Sequence, residues 1–219
     1  MFTLGLSKKV LLADVFWNFV TAGYNDLYAL NSTSAILVML SYTMQIYFDF
    51  SGYSDMARGI SRMFNLDLPQ NFNSPYKALS IQDFWNRWHM SLTNFLTRYI
   101  YIPLGGNRKG KQRTLINIMI VFLVSGVWHG ANWTFIIWGA LHGIWSVVQR
   151  IHKKRFAALH PAFNWMLTFA FVNVAWIFFR SPSVWDALHL IKTILSCNFG
   201  SVPVEMLSTV LLPGFLFYH

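Results

Sequence analysis

The 219 residues are 55% hydrophobic and only 11% charged, where a soluble domain usually carries about 25% charged residues. With 18% aromatic residues, including 10 Trp and 20 Phe, one water-soluble core of this size cannot hide the apolar side chains, whereas lipid can solvate them. The 17 Lys and Arg exceed the 8 Asp and Glu, giving a formal charge of +9, but they sit between apolar runs and not on one polar face. That placement argues against a nucleic-acid partner, and favours positive cytoplasmic loops over an anionic ligand site.

The N-terminal stretch has its basic pair, Lys8 and Lys9, after the first apolar residues and no small-residue cleavage site, so no signal peptide is expected. A membrane span needs about 20 mostly apolar residues. Ala35 to Phe50 comes close, with Gln45 and Asp49 near its end. Asp49 and Asp55 then flank Phe50 to Ser54; a structural ion pair is expected for them, with Arg58 and Arg62 nearest in sequence. The polar stretch from Asp67 to Pro75 reads as a loop.

Ser80, with Asp83 three residues on, opens an amphipathic helix that runs to Pro103. Phe84, Trp88, Leu92, Phe95 and Tyr99 form one stripe; Trp85, His89, Leu92 and Leu96 overlap it; Arg87, Ser91, Asn94 and Arg98 line the other side. Such a helix lies at the membrane interface or inserts partly. The glycine-rich loop from Pro103 to Arg113 carries four basic residues and reads as a cytoplasmic loop, with contact to donor phosphates as the rival.

Two basic clusters, at Arg108 to Arg113 and Arg150 to Arg155, bracket the apolar runs Leu115–Trp128 and Trp133–Val148. If both clusters are cytoplasmic, the chain between them goes in and comes back. Each run is shorter than a span, so the turn at His129 to Asn132 is expected at membrane depth, where irregular backbone must be enclosed by protein or line a wet cavity. One unbroken helix from Thr114 to Gln149 is the alternative. Trp165–Phe179 is a further apolar run, Val184–Leu195 an amphipathic one, and Met206–Phe217 another apolar one. The elements together predict an all-α, multi-spanning transmembrane protein, with short and interfacial helices around a central cavity.

His129 is the most informative residue. An imidazole titrates near neutrality, and ionisable groups inside membranes are usually functional; a buried neutral histidine bonded to a carbonyl is the plain alternative. His89 borders an amphipathic helix, where histidines often only span a polar boundary. His142 repeats the Gly-x-x-His-Gly pattern of His129. His152, His160, His189 and His219 look ordinary. No metal site is expected, because no His-x-x-x-His pair occurs and the single cysteine, Cys197, also precludes an internal disulfide. No serine-hydrolase elbow, dinucleotide fingerprint or phosphate loop is present.

Six segments in order resemble the membrane-bound O-acyltransferase (MBOAT) family, in its bacterial branch. They are Gly5-Leu-Ser-Lys-Lys-Val-Leu-Leu-Ala-Asp14, Gln45-Ile-Tyr-Phe-Asp-Phe-Ser-Gly-Tyr-Ser-Asp-Met-Ala57, Asn71-Phe-Asn-Ser-Pro-Tyr76, Phe84-Trp-Asn-Arg-Trp-His-Met-Ser-Leu92, Tyr101-Ile-Pro-Leu-Gly-Gly-Asn-Arg108 and Gly126-Val-Trp-His-Gly-Ala-Asn-Trp133. The run Ile102-Pro-Leu-Gly-Gly-Asn looks more like the alginate O-acetylation type than the teichoic-acid D-alanyl transfer type. The resemblance implies that His129 matches the family's near-invariant histidine and His89 the second histidine of this branch. It implies a multi-pass protein of the bacterial cytoplasmic membrane. Such a protein moves an acyl group, most simply acetyl, from a cytoplasmic thioester (acetyl-CoA or an acyl carrier) to hydroxyls of an extracytoplasmic polysaccharide or glycolipid. A secreted or anchored partner acyltransferase goes with that function, and no permanently bound cofactor does. Family members are about twice as long, so residues 1–219 are expected to be one partial domain, with earlier spans and the C-terminus missing.

On that reading His129 is the general base, and His89 orients the donor carbonyl or shuttles the proton. Asn132 holds the His129 ring or donates to the developing oxyanion. Trp128 and Trp133 wall the substrate site and His142 contributes to it. D-alanyl transfer to teichoic acid, a non-catalytic scaffold of an acylation complex, and a transporter using the same histidines remain as alternatives.

Overall fold

The computed structural model describes the backbone of residues 1–211 and side chains to residue 209; the rest of the run Met206–Phe217, and His219, lie outside the described residues. The described chain is helical, with no strand. It forms two compact units: residues 1–69 with the segment from Arg180 onward, and Gln70–Phe179.

In the first unit α1 (Phe2–Ser7), a π-helical stretch (Lys8–Ala13) and α2 (Asp14–Asn25) run on continuously and pack along α3 (Ser32–Met63). A β-carbon on Gly5 would lie 2.5 Å from the Gly52 carbonyl oxygen, so the two helices meet backbone to backbone, an approach that small residues permit. Asn31 caps α3 by accepting from the Ser34 amide at 3.0 Å. The acidic residues of α3 pair across this contact, Asp55 with Lys8 at 2.6 Å and Asp49 with Lys9 at 2.7 Å, and Lys9 also reaches Asp14 of α2 at 2.9 Å. The expected partners were Arg58 and Arg62; Arg62 reaches Asp67 instead, at 3.4 Å. Helix–helix contact, not sequence proximity, chooses the lysines. The amphipathic run Val184–Leu195 is α10, capped by Ser183, whose Oγ accepts from the Asp186 amide at 3.2 Å. The Arg180 guanidinium lies 4.5 Å from the Tyr24 ring centre, a cation–π distance. Val204–Leu211 forms α11.

In the second unit α6 (Lys111–His129) and α7 (Trp133–Ile151) form an antiparallel hairpin broken at Gly130 to Asn132, which excludes the single unbroken helix. Each limb has 19 residues, about 28 Å at 1.5 Å per residue. The limbs are longer than the apolar runs because they take in Lys111, Gln112 and Arg113 at one end and Gln149 and Arg150 at the other. The limbs are thus not shorter than a span as expected: by length each one nearly matches the hydrocarbon core of about 30 Å. α8 (Lys153–Ala158) is short, and α9 (Pro161–Arg180) is the one described helix long and apolar enough to cross a membrane by composition, with mean hydropathy 1.6.

The helix expected from Ser80 to Pro103 is not continuous. It splits into α4 (Ile81–Trp85), α5 (Met90–Leu96) and a π-helical stretch (Thr97–Tyr101), with His89 between α4 and α5 at φ 44° in the left-handed region. Ser80 does cap α4, accepting from the Asp83 amide at 3.1 Å. Phe84, Trp88 and Leu92 are buried as the stripe requires, but Phe95 and Tyr99 are exposed and Leu96 is buried in their place. The kink at His89 and the wider π-turn reset the helical phase. The following loop is folded onto α6 by Asn117, fully buried, whose Nδ2 donates to the Gly106 carbonyl at 2.9 Å and more weakly to that of Leu104 at 3.4 Å.

Candidate functional site

The sequence break at His129 becomes a helix end. α6 stops there because Gly130 is extended at φ 162°, and α7 restarts with Asn132 as its cap, whose Oδ1 accepts from the Thr134 amide at 3.1 Å. Asn132 is exposed, and capping is the role its side-chain oxygen plays here. The His129 ring is half-buried in an aromatic box. Trp128 is 4.8 Å away between ring centres, Trp138 5.1 Å, Phe179 4.9 Å and Phe135 6.3 Å.

Trp128 also lies 6.4 Å from the His89 ring, so one indole contacts both imidazoles, and the two histidines of the expected site are brought to the same place. Trp133 begins α7 with its side chain exposed. His142 is placed differently. It is fully buried, accepts at Nδ1 from the Trp85 indole at 3.2 Å, and is packed among Phe84, Phe122, Trp138 and Phe171. With no exposed surface it packs as a core residue in this state.

The kink that aims His89 is tied down by a residue far away in sequence. Asn71 takes the first orphan donors of α5: its carbonyl accepts from the Met90 amide at 3.1 Å and its Oδ1 from the Ser91 amide at 3.1 Å. The same Oδ1 accepts from the Ser91 hydroxyl at 2.6 Å, and Ser91 Oγ lies 3.4 Å from His89 Nδ1. The Asn73 amide adds a bond to the Arg87 carbonyl at 2.9 Å. His89 occupies the N-cap position yet makes no side-chain cap bond, because Asn71 does the capping from outside. It sits in a link between two helices too short to span a membrane, and burial pushes its imidazole down to about 4, so the ring is neutral at ordinary pH. Asn71 and Ser91 were not identified as site residues from sequence; the signal was the occurrence of both in the motif segments that surround His89.

A cavity of about 1420 Å³ runs along the α6–α7 hairpin within this unit. One face of α6 lines it at helical spacing through Lys111, Thr114, Leu115, Ile118, Phe122 and Ser125. Lys111, Arg150 and Lys153 make one end basic, and Trp85 and Leu92 contribute to the wall. Ser125 is one helical turn before His129, and His129 itself is not part of the wall. Aromatic rings surround the His129 imidazole, and Trp138, fully buried, contacts both the wall residue Trp85 at 5.7 Å and His129 at 5.1 Å. Among the described residues no group of three or more His, Cys, Asp or Glu side chains is placed to hold a metal ion.

Known proteins with similar sequences agree on one family. The chain is 48% identical to the peptidoglycan O-acetyltransferase of Helicobacter pylori over 202 residues, which is 90% of this chain and 38% of that protein. It is 40% identical to a "Probable alginate O-acetylase" of Pseudomonas aeruginosa over 218 residues, 97% of this chain and 41% of the relative. A teichoic acid D-alanyltransferase of Bacillus subtilis is 33% identical over 126 residues, 54% of this chain and 32% of that protein. The chain thus spans about two fifths of the length of the first two relatives. The family model described as "MBOAT, membrane-bound O-acyltransferase family" matches residues 1–184, and the chain belongs to that family.

Proposed function

We propose that the protein containing this chain transfers an acyl group, acetyl in the simplest case, from a cytoplasmic thioester to hydroxyls of an extracytoplasmic envelope polysaccharide. The observation that carries this reading is the cavity that follows one face of α6 from the basic end at Lys111 to Ser125, one turn short of His129. A donor with phosphates or a carrier protein at its head and a thioester at the end of a flexible arm matches that polarity. Lys111, Arg150 and Lys153 would receive the anionic head while the arm extends along α6.

In the reaction, the acceptor hydroxyl oxygen attacks the thioester carbonyl carbon, the carbon–sulfur bond breaks, and the thiolate leaves and takes up a proton. His129 removes the hydroxyl proton as general base. His89, sharing Trp128 with His129, orients the donor carbonyl or shuttles that proton. Asn132 contributes by capping α7 and so fixing the break that carries His129. Trp128 walls the site, Trp133 stands exposed at its outer edge, and His142 supports it from the core.

The peptidoglycan and alginate acetylating relatives, similar over at least nine tenths of this chain, favour acetyl transfer over the D-alanyl reading, whose relative matches only 54% of it. The remaining expectations follow from the same reading. The protein is multi-pass in the bacterial cytoplasmic membrane, holds no permanent cofactor and works with a secreted or anchored partner acyltransferase. The test is acetyl transfer per unit of membrane-inserted full-length protein. His129→Gln abolishes detectable transfer while insertion and donor binding persist, and His89→Ala gives an intermediate loss. Near-normal turnover in His129→Gln would remove the base assignment and leave a scaffold or transporter.

A further inference from the structure

Arg180 ends α9 as a cation without a counter-ion. None of the described ion pairs includes it, and its Nε is buried with no hydrogen-bond partner among the described residues. Its known neighbours are aromatic: Cζ lies 4.5 Å from the Tyr24 ring centre and 5.7 Å from that of Trp17. Ring faces attract a cation but do not neutralise it. A guanidinium in an apolar protein is costly without an opposite charge, so the unpaired one calls for an anion. Trp17, Thr21 and Tyr24 follow helical spacing and share one face of α2. The Thr21 hydroxyl is buried with no described partner, and the Tyr24 hydroxyl lies 3.2 Å from that of Ser181. Trp17 keeps 47% of its surface exposed, which leaves indole surface open beside the guanidinium. All these residues belong to the first unit.

We propose that Arg180, with Trp17 and Tyr24, forms a subsite that binds a carboxylate of an acidic glycan acceptor. The planar donor fork of an arginine matches a carboxylate, and an open indole matches the apolar face of a sugar ring. A single guanidinium among hydroxyls suits one carboxylate, whereas anionic lipid heads are drawn by clusters of basic residues. The position agrees with an acceptor. α9 starts at Pro161, after the basic cluster Arg150 to Arg155, and is long and apolar enough to cross a membrane. With that cluster cytoplasmic, Arg180 stands at the extracytoplasmic end, where the positive-inside bias does not account for a basic residue. The identity of the ligand rests on the acyl-transfer reading and its orientation; the unpaired guanidinium does not.

The experiment uses full-length protein in zwitterionic nanodiscs and measures binding without turnover. The probes are a short alginate oligomer and a short peptidoglycan glycan, each compared with its carboxyl-amidated form. The parent should bind at least one acidic probe roughly ten- to a hundredfold more tightly than its amidated form, the scale of one charge-assisted pair. Arg180→Gln should remove that preference and leave donor binding unchanged. Arg180→Lys keeps the charge without the fork and should recover only part of it. Trp17→Leu, at an exposed position, should weaken both forms alike by roughly three- to tenfold. Equal affinity of the parent for acidic and amidated probes would overturn the proposal, and this arm needs no variant to fold. A lower melting temperature in Arg180→Gln with the preference intact would show a structural ion pair and overturn it as well. So would stabilisation by phosphatidylglycerol that depends on Arg180 while neither acidic probe binds, because that describes a lipid site. Binding of an acidic probe through Arg180 in a protein that transfers no acyl group would support the subsite and sink only the acyl-transfer reading.

Discussion

The indole N–H of Trp85 donates to Nδ1 of His142 at 3.2 Å, joining α4 to α7 in the buried aromatic core of the Gln70–Phe179 unit. An indole nitrogen can only donate, so His142 Nδ1 carries a lone pair and the ring is neutral and fixed in tautomer. Trp85→Phe removes the donor and keeps a ring, and is expected to cost about 1–2 kcal/mol, the scale of a hydrogen bond between helices in a membrane protein. His142→Ala costs more, because it leaves the Trp85 N–H unpaired and a cavity beside it. Thermal unfolding of full-length protein in detergent reads both. Unchanged stability together with lost acyl transfer in His142→Ala would return His142 to a substrate role.

The kind of partner decided what the sequence could reveal. Relationships within one helix period were legible: the ends of α10 at Val184 and Leu195, the Ser80 cap, and the interruption after His129 all follow from local spacing. The kink at His89 was hidden because Phe84, Trp88 and Leu92 keep helical spacing across it, and all three are buried as a continuous helix would bury them. What bends the chain is Asn71, which competes for the amides of Met90 and Ser91 from outside the helix. In the same way Asp49 and Asp55 announced a need for partners, but the choice of Lys9 and Lys8 depends on Gly5 and Gly52 letting two helices touch. For the site, the break between apolar runs singled out His129 and the family resemblance singled out His89; Trp128 as the ring that contacts both was not legible.

Helix contact within the α6–α7 hairpin is set by two glycines. A β-carbon on Gly139 would sit 2.4 Å from the Phe122 carbonyl oxygen, and one on Gly126 would sit 2.5 Å from that of Phe135. Both obstacles are backbone and cannot rotate away, so Gly126→Ala and Gly139→Ala force α6 and α7 apart. Overpacking of this kind costs about 1–3 kcal/mol, and it displaces His129, which ends α6 three residues after Gly126. Both variants are expected to lose transfer and thermal stability together. Full activity in Gly139→Ala would show that the hairpin tolerates a wider separation.

The lysine–aspartate pairs of the other unit differ in redundancy. Lys9 has two carboxylates, Asp14 and Asp49, within 2.9 Å, whereas the described ion pair of Lys8 is with Asp55 alone. All are partly exposed, so each pair is worth at most about 1 kcal/mol. Asp55→Asn is expected to lower the melting temperature more than Asp49→Asn. The exchanged pair Lys8→Asp with Asp55→Lys should recover most of the loss. Equal effects of the two single variants would show that the pairs are not what holds these helices.

Orientation is testable without activity. Lys111 begins α6, and Arg150 and Lys153 follow it on the wall of the same cavity end, so the two basic clusters lie at one end of the hairpin. Single cysteines replacing Lys111 and Lys154 in a full-length, otherwise cysteine-free protein should label from the same side of the membrane, the cytoplasmic one. Labelling from opposite sides would break the in-and-back path and with it the donor route along α6.

Ser125 marks where the proposed donor route would end. It is buried, lies on the cavity wall, and stands one helical turn before His129, with Trp138 fully buried next to the histidine. On the proposed function, a thioester delivered along α6 brings its carbonyl past this point, so the space at Ser125 would limit how near it comes to His129. Misplacement by about 1 Å costs on the order of a hundredfold in rate. The series Ser125→Ala, Ser125→Leu and Ser125→Phe should therefore lower acetyl transfer in order of side-chain size, with donor binding at the basic end retained longest. Melting temperatures recorded alongside separate a blocked route from a damaged fold. If Ser125→Phe binds donor, stays folded and transfers acetyl at the parent rate, the donor does not reach His129 along α6.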